Sequence, residues 1–444
     1  MRHPAFHLAV AAFALLPGAL ARAGEAPDAA TLVRELASAV DLPTPKARAL
    51  AADALAMRAG VTLDGWRDAM KAFAPSWTGR TAGHVTETAP LPVLDTVEAT
   101  SIAVFVPKSV QQKTGPTGLL LAYHGQGGNG GQMTAPWLSY AEASGLVIVA
   151  PTETGKNDGY LFSTRERAAG MAALRWARRR FDVDENRVYL TGWSRGGHMA
   201  WDVALHNPDR FAALVPVVGA PRLANQQAEN NVRYLENLID LPIRDLQGSG
   251  DAPMLLRNLH LVFERLKAWK ARDAKLIEFP NSQHDADLSA VDWAAFFAAS
   301  TRDPRPQRIV RRAASLGPQR SAFAEILAYD KTVAELVTPI QPKDWDTMTA
   351  DGKRAFVEGE IEKKTARLEV ARAAPNRFEA KSAGVARWRL LLDAELVDAS
   401  KPVVVVWNGR TITRGVAHAK AVLLRDFVER FDRTYLPTVE ITVP

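Results

Sequence analysis

The pentapeptide Gly192-Trp193-Ser194-Arg195-Gly196 is a G-x-S-x-G pattern set between "RVYLT", an apolar strand-like run, and "GHMAWDVALHNPDRFAAL", a helix-like run. A serine on a tight strand-to-helix turn needs glycine on both sides, because neighbouring backbones pass where a Cβ would stand. The start of the following helix carries partial positive charge, which favours negative charge developing near the serine oxygen. Ser194 is therefore a candidate nucleophile, with a structural Ser-Gly turn as the plainer alternative. A hydroxyl attacks only when a base takes its proton, and that base needs an acid to orient it.

Two later segments supply such partners, acid first and histidine second. "LPIRDLQGSGD" ends on Asp251 and "AKLIEFPNSQHDAD" carries His284, each in a loop after a strand-like run. His198 and His206 lie on the helix after Ser194, and His260 lies within another helical run, so packing or surface roles suit them better. Asp240 and Asp245 compete with Asp251, but Asp245 falls inside its strand. Asp285 and Asp287 beside His284 could be read as metal ligands. Without an H-E-x-x-H pair or a second histidine cluster, a solvated acidic loop is the simpler account, and no metal is expected.

A glycine loop, "LLLAYHGQGGNGGQ" (residues 119–132), admits two chemistries. Gly125, Gly127 and Gly130 fit the G-x-G-x-x-G spacing of a dinucleotide site, and Glu153 stands where such a site wants an acid. His124-Gly125 before small residues also fits an oxyanion loop, in which the Gln126 N–H joins the Arg195 N–H to receive negative charge. The second reading accounts for His124 as well, and it is the one adopted; no cofactor is expected. Trp193 and the Arg195 side chain flank the nucleophile as candidate substrate contacts, with packing or a surface ion pair as the alternative.

The elements that must position these residues are legible as texture. Residues 92–300 alternate apolar runs with amphipathic stretches, the pattern of a mostly parallel sheet flanked by helices. The runs are 101–107, 118–125, 145–152, 187–194, 211–220, 241–248 and 274–280; helices are expected over 165–181 and 254–271. The boundaries read as a signal peptide over 1–23, a helical N-terminal extension over 24–90, a catalytic domain over 91–303, a helical linker or insertion over 304–375, and a β-sandwich-like accessory module over 376–444. In the linker, Phe356, Ile361 and Leu368 are sparse apolar positions before a stop at Pro375. In the module Ala386, Trp388, Leu390 and Leu392 are expected on one strand face, and Asn408-Gly409 joins a hairpin.

At 444 residues, 47% hydrophobic and 23% charged, the chain is an ordinary globular composition. The first residues pair Arg2 and His3 with the apolar run Leu8 to Leu16 and an Ala21-Arg22-Ala23 cleavage pattern, which reads as a secretory signal cut before Gly24. The apolar run is too short to span a bilayer, so the mature chain is expected to have no integral membrane segment and to be extracytoplasmic, periplasmic or secreted. A freely diffusing nicotinamide cofactor is not expected there. With no cysteine, no disulfide contributes. The formal charge of +6, with cations interleaved among acids, reads as a solvated surface rather than a nucleic-acid patch.

"LLLAYHGQGGNG", "YAEASGLVIVAPTETG", the stretch from Asp184 to Ala220 and "EFPNSQH" resemble the α/β-hydrolases. The likeness is to secreted esterases related to poly(3-hydroxybutyrate) depolymerases and feruloyl or acetylxylan esterases, and to the neighbouring prolyl-oligopeptidase-like hydrolases. The resemblance covers about 100–300. It implies an α/β-hydrolase fold and a serine hydrolase that cleaves carboxylic esters through an acyl-enzyme on Ser194, with Asp251 and His284 completing the triad and Gln126 and Arg195 forming the oxyanion hole. Polymeric or cell-wall-derived esters are among the substrates it suggests. A peptidase, or a non-catalytic binding protein of the cell surface that keeps the fold, remains the alternative. The segment 224–243 looks like an insertion able to reshape the acyl pocket.

Overall fold

Strands buried on both faces need apolar side chains at odd and even positions alike, and most of the runs above meet that demand. In the computed structural model, which describes residues 27–73, 81–111, 115–153, 160–221, 231–314, 319–335 and 341–444, they form strands. The expected signal segment, residues 1–23, lies outside the described residues. The strands are β1 (Gly83–Val93), β2 (Thr96–Val106), β3 (Thr117–Tyr123), β4 (Leu146–Pro151), β5 (Val183–Trp193), β6 (Ala213–Val217), β7 (Ile243–Gly248) and β8 (Ala274–Phe279). Their order is β1-β2-β4-β3-β5-β6-β7-β8. β2 runs antiparallel to β1 and β4, and the strands from β4 through β3 to β8 are parallel. In β3, Leu119, Leu121 and Tyr123 join one core layer while Leu120 and Ala122 join the other. The parallel order puts the loops after β3, β5, β7 and β8 at one edge of the sheet, where ligands bind in open α/β folds.

The strand β1 was not anticipated: its residues fell within the expected helical extension and the start of the catalytic domain. Pro90 and Pro92 obscure it, and both are tolerated because β1 is an edge strand. The true helical part of the N-terminal region is Ala29–Val40, Pro45–Ala56 and Leu63–Lys71, capped by Asp28, Thr44 and Thr62. Its apolar faces are not self-sufficient. Trp66, Met70 and Phe73 are buried against Leu423, Phe427 and Phe431, on and just after the helix Lys420–Arg430 near the other end of the chain.

The expected helical linker over 304–375 is corrected. Among its described residues it holds β9 (Arg308–Ala313), β10 (Gln319–Ser321), β11 (Ala324–Tyr329) and β12 (Ala366–Ala374), with one α-helix of the expected kind, Ala350–Lys363. The charged look of β9 misled, since Arg311 and Arg312 are themselves buried. Pro375 does not end a helix; with Asn376 it turns β12 into β13 (Arg377–Ala383). With β14 (Val385–Leu392), β15 (Val403–Trp407), β16 (Arg410–Arg414) and β17 (Val439–Val443), these strands build two sheets, β10-β11-β14-β17 and β16-β15-β13-β12-β9. Trp388, Leu390 and Leu392 are buried between them, whereas Ala386 is exposed because a bulge shifts the β11–β14 register there. Asn408 and Gly409 both take positive φ, 47° and 84°, and close the β15–β16 hairpin.

Arginines fasten the sandwich and the terminal helices to the central sheet. Arg175, on the helix Thr164–Arg180, donates to the Val40, Val428 and Glu429 carbonyls at the ends of two helices. Arg302 pairs with Asp432 at 2.6 Å and also reaches Asn186 and Thr434. Arg430 pairs with Asp209 at 2.6 Å, Arg433 with Glu185 at 2.8 Å, and Arg320 with Asp426. These cations are not the solvated surface that their interleaving with acids suggested. Within the 224–243 segment, the 3-10 helix at Asn231–Leu238 packs against this seam: Arg233 bonds Thr365, Ala334 and Lys364, and Asn237 bonds Arg312. Residues 224–230 lie outside the described residues.

Candidate active site

Ser194 sits on the turn between β5 and the helix Arg195–His206, with φ 56° and ψ −117°. A non-glycine residue at positive φ is strained and persists only when its surroundings hold it. Here they do. The Ser194 N–H donates to the Val217 carbonyl at 2.8 Å, and its carbonyl accepts from the His198 N–H at 3.1 Å. A Cβ on Gly192 would lie 2.0 Å from the Gly196 oxygen, and one on Gly196 would lie 2.1 Å from the Tyr123 oxygen. The hydroxyl does not cap its helix. It meets His284 Nε2 at 2.7 Å instead.

His284 reaches that point because the acid and histidine loops are stitched together. The Ser249 N–H donates to the Phe279 carbonyl at 3.0 Å and the Gly250 N–H to the Ser282 carbonyl at 2.8 Å. Gly248 permits the contact, since a Cβ there would lie 1.8 Å from the Gln283 oxygen. His284 Nδ1 then meets Asp251 Oδ2 at 2.7 Å. The Asp251 carboxylate can only accept while the Ser194 hydroxyl can donate, which leaves one sensible tautomer at neutrality, with Nδ1–H donating to the carboxylate and Nε2 accepting from Ser194. Burial would raise the Asp251 pKa, but hydrogen bonds from His284, the Ala252 N–H and Gln247 outweigh it and hold the carboxyl below its usual value. The His284 side chain is 49% exposed and the Asp251 side chain 10%, so the imidazole opens to solvent while the carboxylate is shielded.

The competing residues go elsewhere. Asp245 is buried beneath the helix that follows Ser194 and accepts from Trp201 Nε1 at 2.8 Å; burial pushes its pKa well up, which suits a neutral acid. His198 bonds the Ala220 main chain, His206 sits against Asp202, and His260 meets Glu278 at the surface. The Asp285 carboxylate accepts from the Ala286 N–H, and that of Asp287 accepts from the Ser289 N–H and hydroxyl, so both are engaged within their own loop.

The glycine loop lies against the elbow. A Cβ on Gly125 would stand 3.4 Å from the Trp193 oxygen and 3.6 Å from Ser194 Cβ. His124 is buried, and burial lowers its pKa; Nε2 accepts from the Glu153 N–H at 2.9 Å while Nδ1 donates to the Gly125 carbonyl at 2.8 Å. His124 is thus a neutral brace for the loop. Gln126 is exposed next to the elbow, and Arg195, as the first helical residue, has an N–H with no intrahelical acceptor. The features of the dinucleotide reading have other causes. Gly130 lets the loop pass Ala150, whose oxygen a Cβ would meet at 2.0 Å, the helix it opens is only Gly130–Thr134, and Glu153 pairs with Arg165 at 2.6 Å.

Among the described residues the Arg195 side chain makes no ion pair of the kind considered above. Its Nε donates to the Tyr160 carbonyl at 2.6 Å and Nη1 approaches Gln126 Oε1 at 3.4 Å. Trp193 is half-buried against the core layer that contains Val217 and Leu246. Sequence reasoning missed the bracing residues: His124 as tautomer-locked support, Glu166, which gathers the Leu161 and Ser163 N–H groups, and Gln247 behind Asp251. The only signal for Gln247 was a polar residue in a buried strand that also carries Arg244 and Asp245.

By its sheet order and the tight turn that carries Ser194 the chain has an α/β-hydrolase fold. The model of the prolyl oligopeptidase family matches residues 166–251, a stretch that includes Ser194 and ends on Asp251. Among curated proteins the chain is similar to a bifunctional acetylxylan esterase/xylanase of Neocallimastix patriciarum, 26% identical over 136 residues. That match takes in 30% of this chain and only 19% of that protein's length. Similar solved structures include a thermostable esterase (19% identity, TM-score 0.40, covering 49% of this chain and 63% of that one). A ferulic acid esterase (18%, 0.37, 49% and 93%) and an S-formylglutathione hydrolase of Staphylococcus aureus (13%, 0.37, 50% and 96%) are others. Among the described residues no helix is long and apolar enough to cross a membrane.

Proposed function

We propose that this chain is a secreted serine hydrolase that cleaves carboxylic esters through an acyl-enzyme on Ser194. The observation that carries the reading is the continuous relay from Ser194 Oγ to His284 and on to Asp251, both contacts at 2.7 Å. In the forward step His284 Nε2 takes the hydroxyl proton as Ser194 Oγ bonds to the ester carbon. The carbonyl oxygen takes up the negative charge and is received by the Gln126 and Arg195 amides. Asp251 stabilises the imidazolium through Nδ1–H. Collapse expels the alcohol, which leaves with the proton from His284. A water molecule then repeats the sequence, releasing the carboxylic acid and restoring Ser194.

Esters are favoured as substrates by the name of the curated relative, an acetylxylan esterase. Peptide bonds are the second reading, favoured by the prolyl oligopeptidase match. The half-exposed His284 suits a substrate larger than the groups at the reacting centre, including a polymer-borne ester, and Trp193 would contact it. A panel of p-nitrophenyl acetate, a feruloyl ester and short peptides separates the readings. Ester turnover absent in Ser194→Ala supports the proposal, and turnover of peptides alone overturns the ester assignment. For secretion, the mature chain recovered outside the cytoplasm should begin at Gly24.

A further inference from the structure

Gln247 is fully buried at the end of β7, two residues after Asp245 and four before Asp251. Its Nε2 donates at 2.7 Å to Asp251 Oδ2, the same oxygen that accepts from His284 Nδ1. The orientation follows from chemistry: the carboxylate and the Gly248 carbonyl, 3.4 Å away, only accept, so the NH2 end must face them. The other end, Oε1, is buried with no hydrogen-bond partner among the described residues. A buried amide left half-paired is a poor choice for stability, because an unbranched apolar side chain of similar length would fill the space without stranding a carbonyl. The residue must therefore be explained by what its nitrogen touches.

The Asp251 carboxylate is held at Oδ1 by the Ala252 N–H at 2.6 Å. Without a second tether at Oδ2 it could swing about its side-chain torsion and carry the imidazole with it. We propose that Gln247 is a positioning residue that fixes Asp251 Oδ2 in line with His284 Nδ1, so that His284 Nε2 stays aimed at Ser194. A neutral donor suits the task, since it steadies the anion without placing a cation where it would compete with the imidazolium. The inference rests on the assignment of Asp251 as the acid of the triad.

The test is Gln247→Met, which keeps length and removes the donor, with Gln247→Leu as a second variant. Each is measured beside wild type for kcat, KM, melting temperature and the downfield proton resonance of His284 Nδ1–H. The expected result is a roughly 10- to 30-fold fall in kcat with KM within about twofold, an unchanged or higher melting temperature, and a displaced or broadened resonance. Wild-type kcat and an unmoved resonance in both variants would overturn the inference, as would a loss of kcat that tracks a fall in melting temperature, which would make Gln247 a packing residue. Wild-type protein that neither turns over esters nor labels at Ser194 would remove the reading of the site itself, a separate outcome.

Discussion

The sheet edge that carries Ser194, Asp251 and His284 and the seam that joins the sheet to the C-terminal sandwich solve opposite problems with opposite materials. At the site, loops from three strand ends meet through backbone hydrogen bonds and glycines that let main chains touch, and the His284 imidazole is left half in solvent. At the seam, long cations are drawn out of water and paired: the Arg302 and Asp432 side chains are 5% and 2% exposed. The site needs geometry that no side chain obstructs. The seam needs many strong contacts whose partners cannot be removed singly without stranding a buried charge. Substitutions at the site should therefore lower rate with little change in stability, and substitutions at the seam should do the reverse.

The largest break expected is His284→Ala, which should lower kcat by about 10⁴- to 10⁶-fold with a melting temperature close to wild type, measured with a nitrophenyl ester and by calorimetry. Asp251→Asn should cost about 10⁴-fold, whereas Asp245→Asn, at the buried acid bonded to Trp201, should leave kcat within a fewfold of wild type. Equal losses at the two aspartates would undo the assignment of the acid. Arg302→Met should show the opposite signature: about 3–5 kcal/mol of stability lost in urea unfolding, with kcat of the folded fraction within about twofold. A loss of rate without a loss of stability there would erase the contrast.

The smallest expected effect comes from acid. Burial alone would raise the Asp209 pKa, but Arg430, Arg210 and Arg320 outweigh it and hold the carboxyl down at about 2. The stability this carboxylate gives is complete above its ordinary unfolded value near pH 4 and is lost as pH falls toward 2, on the order of 2 kcal/mol. Unfolding followed between pH 5 and 2 should steepen in that window, and Asp209→Asn should flatten it.

The same contrast explains what was legible in the amino-acid order. The three residues that meet at the sheet edge were legible because the proposed chemistry demands particular residue types at particular places: glycines at 192 and 196 around Ser194, then an acid and a histidine after successive apolar runs. The strands β3, β4 and β6 and the second half of β5 were legible because burial on both faces leaves little room for polar residues. The seam was not, because a buried arginine and a solvated one read alike until their partners are known, and those partners are far away in sequence: Arg302 with Asp432, Arg430 with Asp209. Arg311 and Arg312 made β9 look like part of a charged helix for that reason. Gln247 escaped notice because its meaning lies in a carboxylate four residues away, on a turn whose path only the fold reveals.

One measurement bears most directly on Ser194 as nucleophile. Folded protein is treated with a fluorophosphonate and digested, and the adduct is mapped by mass spectrometry in wild type, Ser194→Ala and His284→Ala. We expect a single adduct on Ser194 in wild type, none in Ser194→Ala and labelling slowed by orders of magnitude in His284→Ala. An unlabelled wild type, or an adduct on a different serine that survives Ser194→Ala, would contradict it.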